Sequence, residues 1–157
     1  MSIWASMFGG STGSGGGGVI ENQTLVFARF VGSAVSSPAT LVFNTEDKDT
    51  QNEYNNATGI FTASNDGRYI IVAHCEFDGA FNIGGDDRYL EVYKNTNTLV
   101  GSDIQYHYDE NSIDPVMTVV AAIDLVENDT IEIYADSSDS AQVFGTGKTD
   151  LSITRIG

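Results

Sequence analysis

Arg68-Tyr69-Ile70-Ile71-Val72-Ala73-His74-Cys75-Glu76-Phe77 decides the fold of this chain. Side chains of an extended strand alternate between faces, so Tyr69, Ile71, Ala73, Cys75 and Phe77 share one side, which reads as core. The opposite side carries Ile70 and Val72 before it turns polar at His74 and Glu76, so half of the face that should meet water is apolar. Val116-Met117-Thr118-Val119-Val120-Ala121-Ala122-Ile123 repeats the pattern more strongly. An antiparallel sheet normally gives one face to solvent, so a doubly apolar strand in a small domain implies a central sandwich position or a subunit interface. The interface is the favoured reading, with Ile70, Val72, Val116, Val120 and Ala122 as its expected contacts. Thr130, Glu132 and Tyr134, by contrast, alternate with Ile131, Ile133 and Ala135 as in a half-exposed strand.

Outward from these segments the chain keeps the same grammar. Short β-rich runs are separated by Asn65-Asp66-Gly67, Asp78-Gly79, Gly84-Gly85, Asn95 to Asn97 and Glu127-Asn128-Asp129, residues that tolerate left-handed or Asx-turn geometry. No helical periodicity is sustained anywhere. Strands are expected over Thr24 to Val31, Ala39 to Asn44, Thr58 to Ala63, Arg68 to Phe77, Arg88 to Lys94, Thr98 to Asp103, Pro115 to Val126, Thr130 to Ala135, Ala141 to Gly145 and Asp150 to Ile156. The fold class is therefore all-β, a ten-stranded antiparallel sandwich or jelly roll.

The composition sets bounds on partners. The 157 residues are 41% hydrophobic, enough for one ordinary core, and 7 basic against 22 acidic residues leave a formal charge of −15. That field repels polyphosphates and anionic membrane surfaces, so nucleic acid is a poor partner. No apolar run approaches the roughly 18 residues that cross a bilayer, and no basic n-region precedes the apolar N-terminal patch, so a soluble chain without membrane insertion is expected. Cys75 is the single cysteine and forms no intrachain disulfide; His74 and His107 are too far apart in sequence for a recognisable metal motif.

Every Asp, Glu, Lys and Arg lies between residues 19 and 157, which marks a boundary. Residues 1–8 read as an apolar anchor peptide whose Ile3, Trp4, Met7 and Phe8 dock on a partner. Residues 9–18 read as a Gly/Ser linker with a reach of about 18 Å for about ten residues, and residues 19–157 as the β domain.

Several motifs fail on inspection. Gly145-Thr146-Gly147-Lys148-Thr149 resembles the end of a phosphate-binding loop, but Gln142 stands where its leading glycine belongs and a β pattern follows instead of a helix; a Gly-rich turn or bulge is expected. Acidic groups cluster at Asp86-Asp87, at Asp109-Glu110 with Asp114, and at Asp136 with Asp139, all in expected loops. Asp86 and Asp87 are the candidate calcium ligands, set against a solvated acidic surface, because no spacing reproduces the EF-hand loop. No carboxylate pair with a defined cleft is visible, so no enzyme is expected. His74 and Cys75 are strand neighbours pointing to opposite faces and do not form a thiol–imidazole pair.

The order Tyr54, then Thr58-Gly59-Ile60-Phe61-Thr62, then Gly67-Arg68-Tyr69 with an apolar strand resembles the C1q/tumour-necrosis-factor-like globular domain. Leu90-Glu91-Val92-Tyr93-Lys94-Asn95, Ile123-Asp124-Leu125 followed by Asn128-Asp129-Thr130-Ile131, Phe144-Gly145 and Leu151-Ser152-Ile153 are similar to its later elements, with Asn128 in place of the usual glycine. The resemblance covers about Thr24 to Ile156 and implies a ten-stranded jelly roll that assembles as a homotrimer. An apolar anchor, a glycine tether and such a head are similar in architecture to bacteriophage head-fibre, decoration or tail receptor-binding proteins. The implied function is a virion accessory protein at the particle surface, held on a capsid or tail protein through residues 1–18, with possible contact to a host-surface glycan or receptor. The alternative is a soluble C1q-like lectin or adhesion module whose acidic loops bind glycan with calcium.

Overall fold

The computed structural model describes residues 23–77, 86–107, 115–138 and 142–157. They form eleven strands in two antiparallel sheets: β1 (Leu25–Ser36), β2 (Ala39–Thr40), β3 (Thr45–Asp49), β4 (Tyr54–Asn55), β5 (Ile60–Thr62), β6 (Gly67–Glu76), β7 (Asp86–Lys94), β8 (Thr98–His107), β9 (Val116–Leu125), β10 (Thr130–Ser137) and β11 (Gln142–Arg155). One sheet runs β3-β1-β11-β6-β9 and the other β4-β5-β10-β7-β8, with β2 paired to β10. The chain is an all-β jelly roll, as the alternation predicts.

The details differ where propensity and packing part company. The two expected closing strands are one, β11, which bulges against β1: Arg29 pairs with Asp150, but Val31 pairs with Thr146. The Gly-Thr-Gly run sits at that irregularity, where extra residues bend a strand. The strand expected over Ala39 to Asn44 stops at Thr40, yet Leu41 and Phe43 remain buried and the Leu41 amide donates to the Ile133 carbonyl at 2.8 Å. β3 and β4 had no sequence signal. β3 reads Thr-Glu-Asp-Lys-Asp, an edge strand whose charges discourage further pairing and leave no apolar alternation to detect.

The core lies between the sheets. Tyr69, Ile71, Ala73, Cys75 and Phe77 are all buried, as are Leu90, Val92, Ile131 and Ile133 from the opposing sheet. The Phe61 and Tyr69 rings meet edge-on with centroids 5.8 Å apart, an arrangement favoured by the ring quadrupoles. At the β8/β9 edge the sandwich closes tightly. A Cβ on Gly101 would stand 3.1 Å from Ala121 Cβ.

The sandwich has two unlike ends. The start of β1 pairs with the close of β11 (Leu25 with Thr154), and the Arg68 amide donates to the Gly157 carbonyl at 2.7 Å, so the entry to the domain and residue 157 share one end. Glu76 with Val116, Asp86 with His107 and Ser36 with Gln142 mark the other.

Candidate functional site

The outward face of the β3-β1-β11-β6-β9 sheet is built from two apolar rows that follow the strand register. Phe27, Ser152, Val72 and Val120 form one row through successive pairings, and Leu25, Thr154, Ile70 and Ala122 form the next. Phe27 is 39% and Val120 61% exposed, whereas their inward neighbours Val26, Ala28, Val119 and Ala121 are buried. Ser152 and Thr154 of β11 separate the apolar groups of β1 from those of β6 and β9, and apolar side chains gathered on one outward face mark an interaction surface.

A polar rim surrounds the rows. On one side Arg29 pairs with Asp47 through two contacts of 2.5 and 2.7 Å, and His74 Nδ1 lies 2.9 Å from Asp150 Oδ1. The two-point contact holds the Asp47 carboxyl below, and the Arg29 guanidinium above, their ordinary values. On the other side Arg68 Nε donates to Asp124 Oδ1 at 3.0 Å. An apolar centre inside a charged margin is the anatomy of an association surface.

Four of the five expected contact residues come together: Ile70 with Ala122 and Val72 with Val120 as direct cross-strand partners. Val116 stands apart, opposite Glu76 beyond the His74–Thr118 pair, and is 41% exposed. Leu25 and Phe27 complete the rows and were missed. The same test finds them, because Thr24 to Val31 is also apolar at both parities.

Other candidates fall elsewhere. Asp86 and Asp87 open β7 instead of lying in a loop, opposite His107 and Tyr106. The Asp87 carboxylate accepts from the Tyr89 hydroxyl at 3.0 Å. Asp136 likewise belongs to β10. Among the described residues no three His, Cys, Asp or Glu side chains gather as a metal group. Asp109, Glu110, Asp114 and Asp139, and the anchor residues Ile3, Trp4, Met7 and Phe8, lie outside the described residues. Cys75 points inward and His74 outward; burial pushes the Cys75 thiol well above its usual range. A depression of about 790 Å³ is lined by Glu46, Glu53, Asn55, Thr58 and Thr62 among others. Within it Glu53 Oε1 accepts from the Ser64 amide at 2.8 Å.

The architecture is that of the C1q and tumour-necrosis-factor domains. The globular domain of zebrafish complement 1qA superposes with a TM-score of 0.61 at 17% identity, covering 86% of this chain and 96% of that one. Murine APRIL gives 0.61 at 9% identity, with 85% and 99% covered. Eiger TNF from S. frugiperda gives 0.59 at 10% identity, with 86% and 93% covered. No family model matches the chain, and no curated protein matches it. Identities this low carry the fold alone.

Proposed function

We propose that this chain is a non-enzymatic structural and binding head that assembles as a homotrimer through the outward face of its β3-β1-β11-β6-β9 sheet. The observation that carries the proposal is the pair of apolar rows, Phe27–Val72–Val120 and Leu25–Ile70–Ala122, left uncovered on a single chain. Burial of these side chains contributes about 25 cal/mol per Å² of apolar area, and a stable interface needs roughly 800 Å² per partner. The threefold count is taken from the C1q/TNF resemblance. Residues 1–18, an apolar peptide on a Gly/Ser tether, fit display on a larger body, and the reading extends to the surface of a phage particle. Three weak peptides on one trimer would dock with a high effective concentration.

Sedimentation of the full chain at micromolar concentration tests the first part. A trimer is expected, and Val120→Asp, which puts a charge at the middle of the row, should sediment as a folded monomer; a monomeric parent chain would end the proposal. Deletion of residues 1–18 tests the second part. The truncated trimer should form but fail to incorporate into particles, and unchanged incorporation would remove the anchor's role.

A further inference from the structure

The outer face of the other sheet has a different chemistry. Outward positions of β7 run Asp87, Tyr89, Glu91, Tyr93; those of β10 run Glu132, Tyr134, Asp136; and Tyr106 of β8 stands opposite Asp87. Four phenols and four carboxylates thus interleave across three strands. Tyr134 is the register partner of Glu91, Tyr89 of Asp136, and Tyr93 of Glu132. No Lys or Arg occupies an outward position of β2, β7, β8 or β10 among the described residues, and Arg88 of β7 is fully buried on the inner side.

The hydroxyls are oriented by the acids. Tyr89 donates to Asp87 at 3.0 Å and Tyr93 to Glu91 at 2.9 Å. These bonds raise both phenol pKa values, so the rings stay neutral with electron-rich faces. Tyr93 and Tyr134 stand perpendicular, centroids 6.2 Å apart. They line a depression of about 350 Å³ together with Thr40, Thr96 and Glu132. Glu132 Oε1 is screened from water there and has no hydrogen-bond partner. Two orthogonal aromatic faces beside an unsatisfied carboxylate match the requirements of an alkylammonium group.

We infer that this face binds lysine side chains of an extended basic polypeptide segment, one ammonium seating between Tyr93, Tyr134 and Glu132. A free amine would fill only that depression, but the acid–tyrosine alternation continues along β7. Its repeat of two residues, roughly 6.6 Å, equals the spacing of same-side residues in an extended chain. The net charge of −15 supplies the long-range attraction. The face lies on the sheet opposite the proposed assembly surface, so binding does not depend on the trimer.

The test is fluorescence anisotropy of the full chain with a dye-labelled peptide alternating Lys and Ser, at about 50 mM salt where such contacts are little screened. Saturable binding is expected, abolished when the lysines are acetylated and weakened without being lost when they are trimethylated, since the cation–π contact survives methylation while the N–H donor to Glu132 Oε1 is removed. Glu132→Gln should weaken binding about tenfold. Glu127→Gln, the same charge change at an exposed turn elsewhere, should cost less than about twofold. Tyr134→Leu, which changes no charge, should cost about fivefold or more. Equal losses for the two glutamine variants, binding of the acetylated peptide, or a loss on trimethylation as complete as that on acetylation would overturn the inference. The trimethylation readout uses the parent protein and holds even if Tyr134→Leu does not fold. Displacement of the peptide by neutral oligosaccharides would assign the face to glycan instead, and an ammonium as small as pentylamine competing equally per lysine would overturn the polypeptide assignment.

Discussion

At Tyr54 a single hydroxyl ties two segments together. It accepts the Phe43 amide hydrogen at 2.9 Å inside the core, where the chain between β2 and β3 has left the sheet and has no ladder partner for that donor. Burial raises the phenol pKa to about 12. Tyr54→Phe leaves the amide unsatisfied and should cost about 1–3 kcal/mol in chemical denaturation. Gly59, a few residues on, adopts φ 79° with its α-carbon pressed on the Leu41 carbonyl; an added Cβ would lie 2.6 Å from that oxygen. Gly59→Ala should therefore destabilise by about 2 kcal/mol or more, since the residue must be left-handed and the backbone opposite cannot retreat. Asn128, which stands where the resemblance expects glycine, has φ 73°. Asparagine is among the few residues that tolerate this conformation, so the departure leaves the turn intact.

The β9–β10 turn is the element that locks two hairpins to one another. Asp129 accepts from the Val126 amide and from Asn95 Nδ2, both at 2.8 Å, and pairs with Lys94 Nζ at 2.6 Å. Lys94 and these donors depress its pKa from 3.8 to about 2. Because the folded value lies below the unfolded one, this stabilisation is complete above about pH 4 and is lost as pH falls towards 2. Asp129→Asn should lower stability at pH 7 by about 2 kcal/mol and flatten that part of the acid unfolding curve, measured by circular dichroism. Among the residues that carried the family resemblance, Phe61 packs against Tyr69, Tyr54 takes the Phe43 amide hydrogen, and Gly59 and Gly67 make close backbone approaches to Leu41 and Gly157. They were legible because turn geometry and aromatic packing constrain residue type. β3 was not, since an exposed edge strand is specified by its neighbour's free hydrogen bonds. The tyrosine–acid face was also passed over. Thr130, Glu132 and Tyr134 read simply as a wet side, and only the cross-strand register reveals Glu91 and Tyr93 beside them. Asp86 and Asp87, read as a loop, open a strand because β7 continues its pairing with β8 past Arg88.

For the whole molecule, charge and apolar surface pull in opposite directions. Each chain would bring −15 to the proposed trimer while Phe27, Val72 and Val120 favour contact. Self-association should therefore tighten with added salt, on the order of tenfold in dissociation constant between about 20 and 500 mM, as repulsion is screened. Sedimentation equilibrium checks this, and the lysine peptide should respond with the reverse sign. The unlike ends of the sandwich give the particle a direction. With the start of β1 beside Gly157, a fluorescent fusion after Gly157 would stand where the chain enters the sandwich and, on the proposed display role, would crowd residues 1–18, whereas an epitope grafted between Glu76 and Asp86 would be attached at the opposite end.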